Sequence, residues 1–363
     1  MNILQIISGR NVNGAVTYCK FLSEQLIQSG HQVTVLCRSG GWLQEHLHPQ
    51  VNIFESELNR STTELFRVSR WIRQQRFDVM HTHMSRAHTF GVLMKMMNGT
   101  PVVATAHQCS FQLHWRLNDF VIANSKSTAA FQRRYNFVPP EKLGMIHCFT
   151  DLERFKHIEP LDVEIVRRQL RLKGNEFLVG TVGDVIARKG QRFLFEALPM
   201  IVREVPNFKL VLLGRFNRSE RYIKQLRHQI KSESLFTRVK WLGLRDNVQD
   251  FMAAFDLCVV PSVEEPLGLV AMEALAAGTP VVASNTGGLP EIVDHGVNGL
   301  LAKPKDPQQL AKAIIELARD PERRLRMGEA GRATINFQFD PKRLANQVVG
   351  VYDRLVAKRR QVA

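Results

Sequence analysis

Residues 256–288 read DLCVVPSVEEPLGLVAMEALAAGTPVVASNTGG. Its two ends, DLCVVPS and TPVVASNTGG, are short β-branched runs that finish in small or polar residues, the pattern of buried parallel strands. Between them, Pro266 suits a first helical turn and Gly278 a C-terminal stop, so a helix is expected over Leu267 to Ala277. Strand, helix and strand in this order make a βαβ unit. Two acids mark the helix, Glu265 at its mouth and Glu273 eight positions on. Capping accounts for an acid at a helix start. Glu273 lies roughly 9 Å along the axis, among Val270, Ala271, Met272, Ala274 and Leu275, where a carboxylate needs hydrogen-bond donors. Sugar hydroxyls are such donors. A solvent-facing place on an amphipathic helix is the plainer alternative.

The same grammar runs outward in both directions. From Phe177, FLVGTVGDV, FKLVLLG and VKWLGL are further strands with helices between them. Toward the N-terminus, Asn2–Ser8 and Gln32–Cys37 read as strands around a helix over Val16–Gln28 that Gly30 stops. A helix over Ser61–Gln75 opens on the capping box Ser61-Thr62-Thr63-Glu64, and FDVMHTH, PVVATAH and DFVIANS follow as strands with polar tips. Alternating strands and helices imply doubly wound parallel sheets, with ligands at the C-terminal strand ends. Two α/β domains are expected, at 1–155 and 156–340, joined through the polar segment Cys148–Val163. The last helix, Lys342–Lys358, has apolar positions at Leu344, Val348, Val351 and Leu355; packing back on the first domain is one of the two choices open to it.

The chain has 363 residues, 44% hydrophobic and 23% charged, an ordinary globular mix of a size suited to two domains. No run approaches the ~20 apolar residues of a membrane-spanning helix. MNILQIISGRNVNG has no basic flank before its apolar run and reads as a first strand and turn, not a signal peptide. The five cysteines are scattered and never form a CxxC pair, which fits a reducing, cytoplasmic setting without disulfides or a zinc cluster. His81 and His83 form an HxH pair without Cys or carboxylate neighbours, a polar strand tip more than a metal site. Net charge is +15, and it gathers in two clusters, Arg60–Arg86 and Arg215–Lys240. Either an anionic partner or solvated helix faces accounts for them.

Several residues point to an anionic ligand. The free amides near Leu267, Gly268 and Leu269 open a helix, a natural anion site, and Gly268 lets a ligand approach the backbone. Gly183-Asp184 ends a strand, and Arg188-Lys189-Gly190 follow; Lys189 before a glycine suits a diphosphate, or is a surface lysine in a turn. The loop Ser284–Gly288 leads to a helix expected near Pro290 and offers further amides. Gly14 in the first turn faces the same ligand if the strand tips of the two domains are opposed. His83 and His107 sit at strand ends of the first domain.

These segments resemble the family 4 glycosyltransferases. GDVIARKG, LVLLG and the run from Asp256 to Leu301 match the C-terminal half of that family; NGAVTYCKFLSEQLIQSGHQVTVL, FDVMHTH, PVVATAH and DFVIANS match its N-terminal half more loosely. The resemblance implies a retaining enzyme of the GT-B fold, with two Rossmann-like domains facing a central cleft. It assigns Glu273 to the nucleotide ribose, Glu265 to the transferred sugar, and the amides of Leu267–Leu269 to sugar and diphosphate. Lys189 would neutralise the leaving diphosphate, His107 would lie near the transferred sugar and acceptor, and Gly14 would approach the phosphates. Two departures stand out. Asp184 occupies the place of the arginine after the glycine in the family's GRxxxxKG pattern, with Arg188 as a substitute, and Asn13-Gly14 replaces Gly-Gly, a milder change because Asn tolerates positive φ.

A leaving nucleoside diphosphate gains negative charge that Lys189 and helix-end amides would stabilise without a metal. No Asp-x-Asp motif is present, so no metal and no cofactor beyond the nucleotide-sugar co-substrate is expected. The expected partners are that donor and a glycan or lipid-linked acceptor, in synthesis of envelope polysaccharide, lipopolysaccharide or glycolipid. On the Ser61–Gln75 helix, Leu65, Val68 and Ile72 form the buried stripe, while Arg67, Arg70 and Arg73 share another face with Phe66. Such a face suits an anionic membrane surface, placing a cytoplasmic enzyme peripherally on the inner face of the membrane; arginines covering apolar surface are the alternative. Two other functions fit less of the sequence. A nucleotide-sugar isomerising or hydrolysing enzyme on this fold would need no acceptor, and a non-catalytic polyanion binder would need only the charge. Nucleic acid is not an expected partner, and SGRNVNG lacks the GxGxxG spacing of a nicotinamide site.

Overall fold

The computed structural model describes residues 1–155, 157–216, 220–232 and 235–362. Arg218, within the second basic cluster, lies outside them. The first unit comprises Met1–Thr150 together with Phe339–Ala363, and the second Asp151–Gln338.

In the first unit β1 (Asn2–Ile7), α1 (Gly14–Gln28), β2 (Gln32–Cys37), α2 (Trp42–His46), β3 (Asn52–Glu55) and α3 (Thr62–Gln75) precede β4 (Val79–His83), α4 (Ser85–Asn98) and β5 (Val102–Ala106); β6 (Phe120–Ala123), α5 (Lys126–Arg134) and β7 (Leu143–Met145) follow. The seven strands form one parallel sheet in the order β3-β2-β1-β4-β5-β6-β7. The order reverses between β1 and β4, the switch point where doubly wound sheets open a crevice. Leu4, Ile6, Val68, Ile72, Met80, Phe90 and Val102 form the core on one face of it.

The second unit contains α6 (Pro160–Gln169), β8 (Phe177–Val182), α7 (Gln191–Glu204), β9 (Phe208–Leu213), α8 (Arg221–Ser232), β10 (Val239–Gly243), α9 (Val248–Ala254), β11 (Leu257–Val260), α10 (Leu269–Ala276), β12 (Val281–Ser284), β13 (Gly299–Ala302), α11 (Pro307–Ala318) and α12 (Pro321–Gln338). Its six strands are parallel in the order β10-β9-β8-β11-β12-β13, with the switch point between β8 and β11. The last helix, α13 (Pro341–Val362), belongs to the first unit, where Leu344, Val348, Val351 and Tyr352 are buried against α1 and β4.

Four local expectations change. The division falls at Thr150 rather than at residue 155, because Leu152 and Phe155 are buried and the turn at Glu153–Phe155 packs on α9 of the second unit. Helix α10 starts at Leu269, not Leu267: Gly268 caps it at φ 112°, a conformation that cannot continue back into a helix, so Pro266 lies before the first turn. After Gly288 there is only a 3-10 turn, Leu289–Glu291, in place of the helix expected near Pro290. The capping box at α3 is half formed. Ser61 Oγ accepts from Glu64 N, but Ser61 N donates to Asn59 Oδ1 and the Glu64 carboxylate takes Ser56 Oγ and Arg67 instead.

Candidate active site

In the second unit Lys189 and Glu265, both singled out from the sequence, meet at the switch point. Strand β8 ends at Val182, and a turn at Ala187–Lys189 follows before α7. Gly190 closes that turn at φ 69°, where a β-carbon would lie 1.9 Å from Pro261 O at the end of β11. Only a glycine permits this approach. Lys189 is thereby carried across, and its Nζ donates to Glu265 Oε2 at 2.6 Å. Ser262 Oγ donates to the same oxygen at 2.9 Å. The pair is nearly enclosed, with side-chain exposures of 17% for Lys189 and 10% for Glu265. Two charges held this way sit in an environment that strengthens their interaction with any ligand charge. The Lys189 side chain lies beside Gly183, its Cε 3.8 Å from where a Gly183 β-carbon would be.

A second loop fixes Glu265 from the other side. At Gly287, with φ 59°, a β-carbon would sit 1.9 Å from Glu265 O, and Gly288 N donates to that oxygen at 2.9 Å. Three amides of the loop Ser284–Gly288 bond within the unit, Asn285 N to Ala302 O, Thr286 N to Ser284 O and Gly288 N to Glu265 O. The loop braces the Glu265 backbone. Leu267 and Gly268 are buried, Leu269 is half-buried, and no side chain caps α10, whose first internal bonds start from Ala271 N and Met272 N. Glu273 is half-buried on α10 and acts on Cys258 of β11, whose thiol is pushed up to about 12 by burial and then by that carboxylate. It is not on a fully solvated face.

Arg188 does a different job from the one suggested for it. It is exposed, its Nη1 donates to Glu264 O at 3.1 Å, and its carbonyl accepts from Val263 N. At Asp184 the guanidinium that arrives is that of Arg215, from just past β9, through Nε to Oδ1 at 3.0 Å and Nη2 to Oδ2 at 2.8 Å. Sequence reading missed Arg215 and Ser262. The signal for Arg215 was its place one residue after the strand tip LVLLG; Ser262 stands three residues before Glu265.

In the first unit Asn13 caps α1, its Oδ1 accepting from Ala15 N and Val16 N, and Gly14 is the exposed first helical residue. Asn13 has φ −162°, so it works as an N-cap and not through positive φ. The half-buried His107 follows β5, and its ring joins a buried chain of polar groups. His83 Nε2 donates to Gln5 Oε1 at 2.7 Å, so in the neutral ring His83 Nδ1 accepts from His107 Nε2 at 3.1 Å. His107 Nδ1 is then an acceptor, and Cys148 Sγ lies 3.7 Å away. Beside this chain His81 meets Tyr352 Oη at 2.5 Å and Thr105 Oγ1 at 2.7 Å. Tyr18 packs edge-on against His83 and His107. Burial pushes His81 and His107 down to about 3, with His107 adding to the shift of His81, and holds His83 well below the usual range. His81 and His83 are thus interior hydrogen-bonding groups, and among the described residues no three His, Cys, Asp or Glu side chains are grouped to hold a metal ion.

The arginine face of α3 is largely spent within the first unit. Arg67 pairs with Glu64, donates to Glu55 O and covers the Phe54 ring; Arg73 donates to Asn98 Oδ1 and Met97 O. Arg70 and Phe66 are exposed. Among the described residues no helix is long and apolar enough to cross a membrane. None of the five cysteines is joined in a disulfide.

Two family descriptions match the chain: "Glycosyltransferase Family 4" over residues 12–154 and "Glycosyl transferases group 1" over residues 162–334. An uncharacterized glycosyltransferase of Methanocaldococcus jannaschii is 27% identical over 378 residues, which cover 94% of this chain and 95% of that one. The lipopolysaccharide core biosynthesis glycosyltransferase LpsD of Rhizobium meliloti is 27% identical over 375 residues, covering 99% and 100% of the two chains. Among solved structures, Anabaena HepE in complex with UDP matches at a TM-score of 0.85 and 26% identity, covering 98% of this chain and 100% of HepE. The two parallel sheets and this likeness identify the GT-B α/β fold.

The histidine chain makes a pH prediction. A histidine whose folded pKa lies below the ordinary ~6.5 contributes stability that is fully present above that value and is lost as pH falls toward the folded pKa. His81, His83 and His107 should therefore each lower stability by about 1.4 kcal/mol per pH unit below ~6.5, less where they are coupled. Urea unfolding followed at pH 7.5 and pH 5 should show a marked loss at the lower pH, and equal stability at both would contradict the buried neutral chain.

Proposed function

Because the chain belongs to the family 4 glycosyltransferases, we propose that it transfers a sugar from a nucleoside-diphosphate sugar to an acceptor hydroxyl with retention at the anomeric carbon. The single observation that carries this is the enclosed Lys189–Glu265 pair at the β8/β11 switch point. With donor bound, Glu273 holds the ribose, Glu265 faces the transferred sugar, and the amides near Leu267–Leu269 receive the diphosphate. When the bond from the anomeric carbon to the diphosphate breaks, its electron pair passes to the leaving oxygen, where Lys189 offsets the charge. The acceptor oxygen attacks the same face, and its proton passes to the departing diphosphate oxygen. No protein base is assigned, since both ring nitrogens of His107 face partners inside the first unit. No metal takes part in this scheme. HepE was solved with UDP-glucose and LpsD is named for lipopolysaccharide core synthesis; on those likenesses a uridine donor and an envelope glycan or glycolipid acceptor come first.

A thermal-shift panel of UDP-, GDP-, ADP- and CMP-sugars tests the donor. A nucleotide at 100 times its Kd should add about 2.7 kcal/mol of stability, and Glu273→Ala should remove most of that shift. An undiminished shift in the variant would make the ribose assignment wrong. We also place the enzyme peripherally at the inner face of the membrane, with Arg70 and Phe66 on the exposed face of α3 toward the lipid. Co-sedimentation with anionic vesicles should occur at low salt and weaken as salt rises. No sedimentation at low salt removes that placement.

A further inference from the structure

We propose that the first unit docks on an anionic lipid bilayer through an apolar knob made of two segments, residues 111–117 and 133–137. This rests on the peripheral placement above and names a further surface for it, separate from α3.

The two segments form one structure. Asn136, fully buried just past α5, accepts from Gln112 N at 2.8 Å through Oδ1 and donates to Ser110 O at 2.9 Å through Nδ2. These bonds hold the chain entering the 3-10 turn Leu113–Leu117 against the end of α5. Phe111, Leu113 and Leu117 on one segment, with Tyr135 and Phe137 on the other, are between 48% and 67% exposed.

The turn is built inside out. Gln112 Oε1, His114 Nε2, Trp115 Nε1 and Asn118 Oδ1 are buried and have no hydrogen-bond partner among the described residues, while the large apolar side chains between them face outward. A segment bathed in water favours the reverse, because a buried unpaired polar atom costs free energy and an exposed apolar side chain forgoes its burial. The arrangement suits a segment whose outer side meets hydrocarbon. Phe137 points the same way. Its φ is 52°, in the left-handed region that glycine enters without penalty, and the position instead carries an exposed aromatic ring.

Charge narrows the partner. From Cys109 to Pro140 the one acid is Asp119, and Lys95 pairs with it. Arg116, Arg133 and Arg134 are exposed, and none of them has a carboxylate partner among the described residues. A second copy seated on the knob across a two-fold axis would bring these arginines against their own counterparts. A bilayer with anionic headgroups over hydrocarbon accepts both the rings and the guanidiniums.

Flotation of the full chain with phosphatidylcholine vesicles, plain or mixed with phosphatidylglycerol, tests this beside a Phe66→Ser/Arg70→Ala variant of α3. Phe111→Ser/Leu113→Ser should weaken partition to the mixed vesicles by about tenfold or more. Arg133→Ala/Arg134→Ala should weaken it by about 10- to 30-fold and leave plain vesicles unaffected. Phe137→Gly, which suits the left-handed backbone, should weaken partition without lowering Tm, a combination that misfolding does not produce. Wild-type partition in the Phe111→Ser/Leu113→Ser and Phe137→Gly variants overturns the proposal; a loss confined to the α3 variant leaves the contact through Arg70 and Phe66 standing. A dimer in vesicle-free sedimentation that the same substitutions abolish also overturns it, because a second copy then covers the knob. A wild-type chain that floats with neither vesicle removes the peripheral placement itself, and this inference with it.

Discussion

The second unit depends on backbone approaches that only glycine allows. Gly190 rests on Pro261 O and Gly287 on Glu265 O, and between them the short segment from the end of β11 to the start of α10 is clamped from two sides. Side chains at either position would push the turn after β8 or the loop after β12 away by more than an ångström. Lys189 would then no longer reach Glu265, and the two glutamates eight residues apart would lose their common frame. The site is thus made first by chain geometry at the switch point and only then by charge. Three strands, β8, β11 and β12, each contribute one loop to it.

The first unit solves a different problem. Its sheet buries Gln5, His81, His83 and Thr105 with no exposure at all, and buried polar groups need partners. The partners are one another, with Tyr352 brought by α13 from 271 residues away in sequence. The chain ends on the ring of His107, fixing its tautomer and keeping it neutral. That helix therefore does more than cover apolar surface: it completes the hydrogen bonding beneath the strand tips of β4 and β5.

Much of this was legible in the residues. The strand–helix–strand run at 256–288 and its repeats gave the doubly wound sheets, because central parallel strands are continuous apolar runs. The edge strands β3 and β7 escaped notice, being short and partly exposed, as edges are. Glu265, Glu273 and Lys189 stood out through spacing, and two of the three meet in space. Arg215 did not, since its partner Asp184 lies 31 residues away and only strand pairing joins them. The half-formed capping box at Ser61 and the missing helix at Pro290 have the same origin. Local signals were present, but hydrogen bonds to Asn59, Ser56 and Glu265 took the groups those signals relied on.

Lys189 pairs with Glu265, and under the proposed function it turns to a donor phosphate once a nucleotide binds. A crystal structure with a bound nucleoside diphosphate measures this directly, through the distance from Lys189 Nζ to Glu265 Oε2, which is 2.6 Å in the structure described above. With the nucleotide present, Nζ should lie within hydrogen-bond distance, about 2.7–3.2 Å, of a β-phosphate oxygen, with the ribose against Glu273. A nucleotide bound elsewhere, with the Lys189–Glu265 pair unchanged and nothing against Glu273, would contradict it.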